Sequence, residues 1–427
     1  MKPFNRREFI KSVGLLGAFS SLGYSIQSLA SSVQANVVIV GGGFGGATCA
    51  NYLHKYNPNI NVTLIEQNAN FVTCPFSNTV IGGFNNLDFI THGYSALNKK
   101  SSIKVVQDRV TSIDPDNKFV KTLAGKKIPY DRLVISPGIS FIWDAIEGYN
   151  ETLSDKLPHA WRPGKQTQLL RQQLVDMKNG GTVIIAPPGN PFRCPPGPYE
   201  RASLMAEYLK KHKPKSKILI LDAKDKFSKQ PLFQNAWDEL YPDMIEWTPG
   251  SQGGNVIRVD AKKMTVSTED DTYKGDVINI IPPQRAGDIA AKANLVNDKG
   301  WCPVDQKTFA SKMQQHIYVI GDACIAGKMP KSGYAANSQA KVCAMQLIAD
   351  LDGRPTFEPS WINTCYSLIA EDYGISVAMV YRYSDKGIVG VKGAGGVSPP
   401  EADNKLRKQE AEYAKGWYQS ITKDMFS

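Results

Sequence analysis

The stretch "NVVIVGGGFGGATCANYLHK", residues 36–55, leaves few folds open to this chain. Val37, Val38, Ile39 and Val40 are β-branched and uninterrupted, the pattern of a strand buried on both faces in a parallel sheet. Gly41, Gly43 and Gly46 follow at G-x-G-x-x-G spacing, and an Ala-containing segment continues as helix. In a dinucleotide-binding turn the first glycine makes the tight turn and the second lets the backbone approach a pyrophosphate. The third lets helix pack closely on strand. A second strand, "NVTLIEQN", ends in Glu66, about 25 residues on, where a carboxylate accepts ribose hydroxyls. The chain therefore starts its folded part as a Rossmann-type α/β unit that takes a dinucleotide.

What precedes this unit reads as a leader. Arg6-Arg7, followed by Phe9, Ile10 and Lys11 and a weakly apolar stretch rich in Ser and Gly, fits a twin-arginine export signal over residues 1–35. The interspersed Ser and Gly argue against a membrane span. Export by this route delivers folded, cofactor-loaded protein to the periplasm, an oxidising compartment in which cysteines can pair. Lys2, Arg6, Arg7 and Lys11 against Glu8 put +3 of the formal +10 in the leader, leaving 10 − 3 = +7. That charge is scattered, which disfavours nucleic acid and suits an acidic protein partner or a small anionic substrate. With 427 residues, 42% hydrophobic and 21% charged, the chain has material for two or three domains.

Further on, "QHIYVIGDACIAG" is another buried strand, ending in Gly321-Asp322, and "MPKSGYAANSQAKVCAMQLIAD" reads as a loop and a helix starting near Ala335. This resembles the strand and helix with which glutathione-reductase-like flavoproteins hold the FAD ribityl chain, here through Asp322. The resemblance implies FAD, with a helix N-terminus aimed at the flavin and Lys331 and Ser332 placed to stabilise its reduced anion. "YDRLVISPGI", residues 130–139, resembles the strand and turn that return the chain after the first half of that domain.

In such flavoproteins a second Rossmann unit binds NAD(P)H. Here the matching strand, Thr182–Ala186, runs into "PPGNPFRCPPGP", which lacks the glycine spacing. Five prolines between Pro187 and Pro196 remove N–H donors and fix φ, so this loop cannot wrap amides around a pyrophosphate. Cys194 stands among them. Of seven cysteines, Cys74, Cys194 and Cys365 have unusual surroundings, while Cys49, Cys302, Cys324 and Cys343 read as small buried side chains. Neither C-x-x-C nor C-x-x-C-H occurs, so no zinc ribbon and no covalent haem is encoded, and any haem belongs to another chain.

At "TCPFSN", "KLPHAW", "APPGNPFRCPPGPYERAS", "GWCPVDQKTF", "GDACIAGKMPKSGYAANSQ" and "NTCYSLIAEDYGISV" the sequence resembles flavoprotein subunits of flavocytochrome c sulfide dehydrogenase across the mature chain, and more distantly sulfide:quinone oxidoreductases. The resemblance implies a thioether from Cys74 to the flavin, although Pro75 departs from the usual following residue. It implies a redox-active disulfide between Cys194 and Cys365 over the isoalloxazine, and Trp417 as an aromatic near the flavin. It further implies sulfide as substrate and a c-type cytochrome subunit as partner in a heterodimer, with no metal on this chain. Two alternatives stay open: a quinone-reducing enzyme, and a non-catalytic flavoprotein serving another sulfur-oxidising complex. Tyr413, Trp417 and Ile421 share a narrow apolar stripe amid Lys and Glu, which reads as packing against the flavin domain or a partner.

The expected fold class is α/β, with two Rossmann-like nucleotide-binding domains, glutathione-reductase-like, plus a C-terminal interface domain. Residues 36–146 and 288–353 are assigned to the FAD domain, 147–287 to a degenerate second nucleotide-binding domain and 354–427 to the C-terminal domain. Val391–Asn404, "VKGAGGVSPPEADN", is the expected flexible loop.

Overall fold

A computed structural model describes residues 33–427, so all but the last three residues of the expected export signal, 1–35, lie outside the described residues, and Ala35 already opens the first strand. Five parallel strands form the first sheet, in the order Ile317–Val319, Arg132–Ile135, Ala35–Val40, Ile60–Glu66, Ile103–Gln107. Val37, Val38, Ile39 and Val40 are buried, as the unbroken β-branched run requires of a central strand. Removing each such side chain from water contributes about 1.5–3 kcal/mol.

Helix Phe44–Tyr56 follows the glycine turn and packs against helix Gly333–Leu351. Asn337 on the later helix donates to Thr48 Oγ1 (2.9 Å) and to Asp424 Oδ2 (2.9 Å), tying both helices to the C-terminal one.

The chain leaves this unit through Ile139–Phe141 and re-enters through Gln284–Ala286, which pair antiparallel. Between them lies a second parallel sheet, ordered Ile245–Thr248, Lys217–Leu221, Thr182–Ala186, Val277–Ile280, with helix Gly197–His212 behind the proline loop. The third part is an antiparallel sheet of Ser360–Ala370, Tyr373–Ser384 and Gly387–Val397, closed by helix Asn404–Phe426. The architecture is the expected α/β arrangement of two Rossmann-like units and a C-terminal piece.

Two expectations fail here. Most of Val391–Asn404 is not a loop: residues up to Val397 belong to a strand whose pairing, through a bulge, accommodates the glycines, with Gly393 at φ +81°. And Tyr413 does not share the buried stripe. It is 46% exposed, while the helix buries Ala411, Ala414, Tyr418, Ile421 and Met425 at i, i+3, i+7 spacing, a face displaced from Tyr413.

Candidate active site

The C-terminal ends of the first sheet, the proline loop and strand Ser360–Ala370 enclose one cavity of about 950 Å³, large for a small-molecule site. At one end the glycine turn shapes it. Gly41 has φ +95°, and a Cβ there would lie 2.3 Å from the Ser136 carbonyl oxygen. Gly43, immediately before the helix, lines the cavity with Gly41. Gly46 does not. A Cβ at Gly46 would fall 1.8 Å from the Gly41 oxygen, so its role is close packing of helix on turn. The Glu66 carboxylate is fixed at the cavity wall by Gly42 N (2.8 Å), Asn68 N (2.9 Å) and Asn68 Nδ2 (2.9 Å).

The residues farther in suit a flavin dinucleotide. Asp322 lines the cavity, and its buried Oδ1 has no hydrogen-bond partner, as the acceptor for a ligand hydroxyl would. Burial pushes its carboxyl upward, against the pull of Arg193 and Lys331. Trp417 Nε1 is a second unsatisfied group on a cavity-lining side chain. Ser332 caps helix Gly333–Leu351, accepting from Ala335 N (3.1 Å) and donating to Asn363 Oδ1 (2.6 Å), which aims the positive end of the helix into the cavity. These groups would hold FAD: Glu66 at the ribose, Asp322 at the ribityl chain, the helix end at the flavin.

Lys331 is held by the protein itself. Its side chain is not among those lining the cavity; the ammonium donates to the carbonyls of Asp322 (2.6 Å) and Cys324 (3.1 Å) and lies 3.8 Å above the Trp301 ring. What Lys331 offers the site is its own carbonyl, which accepts from Cys194 N at 2.8 Å.

Cys74, Cys194 and Cys365, remote in sequence, line the same cavity, and all seven cysteines are thiols in this structure. Cys194 sits at φ +58°, a strained conformation for a non-glycine residue, held by the Lys331 bond and by Gly197 N donating to its carbonyl (2.9 Å). Gly197 is obligatory. A Cβ there would meet Trp161 at 2.7 Å and Cys194 Sγ at 3.0 Å. Burial pushes the Cys194 thiol well up, and Cys365, Glu200 and Cys74 add to the rise. Burial likewise raises Cys74, with Arg193 opposing. The Cys74 loop is clamped by the C-terminal helix: Thr73 Oγ1 and Tyr418 OH share a 2.7 Å hydrogen bond, and Thr73 Oγ1 donates to the Pro75 carbonyl (2.9 Å). Pro75 and Cys74 both line the cavity.

Sequence reasoning missed several residues. Glu200 reaches the cavity with its carboxylate accepting from Leu368 N (2.9 Å) and Asn78 Nδ2 (2.8 Å), and burial raises it. Arg201, 1% exposed, donates only to neutral oxygens, those of Asn78, His159, Ala160 and Asn279, and stacks over Trp161. Burial lowers it to about 9, so it stays charged at neutral pH. His159 is pushed down to about 3 by burial and the nearby arginines, and its neutral Nδ1 accepts from Trp161 N (2.8 Å). No local sequence signal marks such residues, because their partners come from distant segments.

The second nucleotide site is filled by the protein itself. Asp222, at the end of strand Lys217–Leu221, occupies the position equivalent to Glu66. It is fully buried, accepting from Tyr199 OH, from Trp247 Nε1 (3.0 Å) and from Lys224, which also bonds the Pro188 carbonyl (2.9 Å). The Tyr199 and Phe227 rings stack at 3.6 Å beside it. No free acidic group remains there for a ribose.

Two Rossmann units, one open to a dinucleotide and one closed, with thiols beside the flavin position, define a flavin-dependent oxidoreductase of the disulfide-reductase class. Residues 35–185 match the pyridine nucleotide-disulphide oxidoreductase model, 167–282 the central model of the sulfide dehydrogenase [flavocytochrome c] flavoprotein chain, and 357–426 the flavocytochrome c sulphide dehydrogenase flavin-binding model. A flavoprotein chain of this kind from Chlorobaculum thiosulfatiphilum is 66% identical over 44 residues, 10% of this chain and 92% of that sequence. The chain belongs to the family of flavocytochrome c sulfide dehydrogenase flavoprotein chains. The mitochondrial sulfide:quinone oxidoreductase of Dictyostelium discoideum is 26% identical over 377 residues, 80% of this chain and 78% of that one. The solved sulfide:quinone oxidoreductase from Aquifex aeolicus shares the fold, with TM-score 0.72 at 18% identity over 92% of each chain.

Proposed function

We propose that this FAD-dependent oxidoreductase takes electrons from sulfide through Cys194 and Cys365 and passes them to a c-type cytochrome subunit in the periplasm, after twin-arginine export. The observation that carries the reading is the convergence of these two cysteines, from separate parts of the fold, on the cavity that contains Asp322 and Trp417. In the oxidised protein the two sulfurs form a disulfide. Hydrosulfide attacks one sulfur, the S–S bond breaks, and the attacked cysteine carries a persulfide while the other leaves as thiolate. A second hydrosulfide attacking the persulfide releases the sulfur as disulfide anion, the start of a polysulfide. Bound FAD supplies the two-electron acceptor that returns the dithiol to disulfide, and a thioether to Cys74 retains it.

The protein's own part is positional. The strained turn at Cys194 and the packing of Gly197 on Trp161 fix one sulfur, and strand Ser360–Ala370 fixes the other. The closed second site fits a donor other than NAD(P)H. A haem partner fits an enzyme whose own chain carries no haem motif, and no helix among the described residues is long and apolar enough to cross a membrane.

The test is anaerobic titration with sulfide. The wild type bleaches its flavin absorbance, whereas Cys194→Ser and Cys365→Ser retain flavin and do not bleach. Bleaching at the wild-type rate in either variant overturns the reading. Cytochrome c and decylquinone as competing acceptors distinguish the haem route from quinone reduction, and denatured mass with a peptide map reads the Cys74 link.

A further inference from the structure

Lys229 is a buried ammonium that the chemistry above does not use. It immediately precedes helix Gln230–Leu240, held at φ +62°, and is only 8% exposed. Its Nζ donates to Ser367 Oγ at 2.8 Å and approaches the Cys365 carbonyl at 3.5 Å. Both acceptors are neutral, and no carboxylate of the described residues forms an ion pair with it. Glu200, the acidic group nearest in role, is already engaged by Leu368 N and Asn78. A buried cation without a carboxylate in direct ion pair is costly, and such a group suits a site where negative charge arises in the working cycle.

The strand geometry says where that charge arises. Cys365 and Ser367 are two apart on strand Ser360–Ala370, so their side chains share a face, and both line the cavity. An ammonium bonded to the Ser367 hydroxyl therefore stands on the same side of the strand as the Cys365 sulfur. We propose that Lys229 is the electrostatic partner of Cys365, a positioning residue that holds negative charge on that sulfur.

The inference rests on reading Cys365 as half of the reactive pair. The charges facing the two sulfurs differ in the direction required. Burial raises the Cys365 thiol, Lys229 pulls it back and Glu200 adds to the rise. Around Cys194 the opposing cation is Arg193, whose pull is weaker than the push from Cys365, Glu200 and Cys74. Lys229 is in turn lowered by burial and held up by Cys365, Glu200, Cys194 and Glu410.

The test uses the reduced, flavin-loaded protein and needs no sulfide. Iodoacetamide labelling of Cys365 and Cys194 is followed by mass spectrometry across pH. In Lys229→Met the pH midpoint for Cys365 rises by about one unit or more, making labelling about tenfold slower below it, while Cys194 moves less. Lys229→Arg restores the wild-type midpoint. Should Lys229→Met fail to retain flavin, Lys229→Gln keeps a donor for Ser367 without the charge and raises the midpoint in the same way. An unchanged Cys365 midpoint in a folded, uncharged variant overturns the proposal. Failure of sulfide to bleach the wild type would overturn the catalytic reading alone and leave the labelling result standing.

Discussion

The glycine turn at 41–46 and the proline loop at 187–196 occupy equivalent positions in two Rossmann units, after the first strand and before the following helix. In the first, close contacts exclude side chains at Gly41, which lines the cavity, and at Gly46, which packs helix on turn, and Glu66 waits at the cavity wall. In the second, Asp222 is consumed by Tyr199, Trp247 and Lys224, and Gly189 has nothing within 4 Å of where its Cβ would stand. A nucleotide site is thus lost by more than its motif: the protein refills the space with its own aromatic rings and redirects the loop to present a sulfur.

The largest effect expected from this contrast comes from valine or alanine at the two glycines. Gly46→Val forces a side chain into the Gly41 carbonyl and costs about 4 kcal/mol or more, giving protein without bound flavin by absorbance. Gly189→Ala leaves flavin content and melting temperature unchanged. Equal loss in both would break the comparison.

A smaller effect concerns pH. His159 lies in the wall between the two units, with its folded-state pKa lowered from 6.5 to about 3. Below pH 6.5 the unfolded chain takes up a proton that the folded protein refuses, so stability falls as pH drops from 6.5 towards 3. The loss is about 2 kcal/mol at pH 5 relative to neutral pH, read by denaturant unfolding. His159→Gln removes that slope and leaves the contributions of other groups.

The smallest is Tyr199→Phe, which deletes one donor to buried Asp222. Because Asp222 keeps Trp247 and Lys224 as donors, the substitution lowers stability by only about 1 kcal/mol without altering flavin content, since the seal belongs to the closed unit. A loss of flavin in this variant would show the two units to be less independent than their cores suggest.

What could be read from sequence follows from range. Glycine spacing and strand runs are written within a few residues and land where expected, whereas the later helix starts at Gly333, two residues ahead of the expected Ala335, once Ser332 caps it. The direction of Lys331 was not legible, because Trp301 and the Asp322 and Cys324 carbonyls that capture it are set by the tertiary fold. Tyr413 shows the limit of a short stripe: helical spacing alone does not say which flank of the stripe meets the core. Val391–Asn404 looks like a loop because glycine and proline dominate it, yet a paired neighbour, Tyr373–Ser384, supplies the order its composition withholds. Lys229, Glu200 and Arg201 carry no local mark, and only burial beside distant partners distinguishes them.

The single hydrogen bond from Cys194 N to the Lys331 carbonyl fastens the sulfur-bearing loop to the segment that starts the flavin-facing helix. A hinge between the two units would have to open at that latch, moving Cys194 away from the start of that helix. The thiol chemistry proposed above depends on that alignment, and gentle heating should extinguish it before the secondary structure melts.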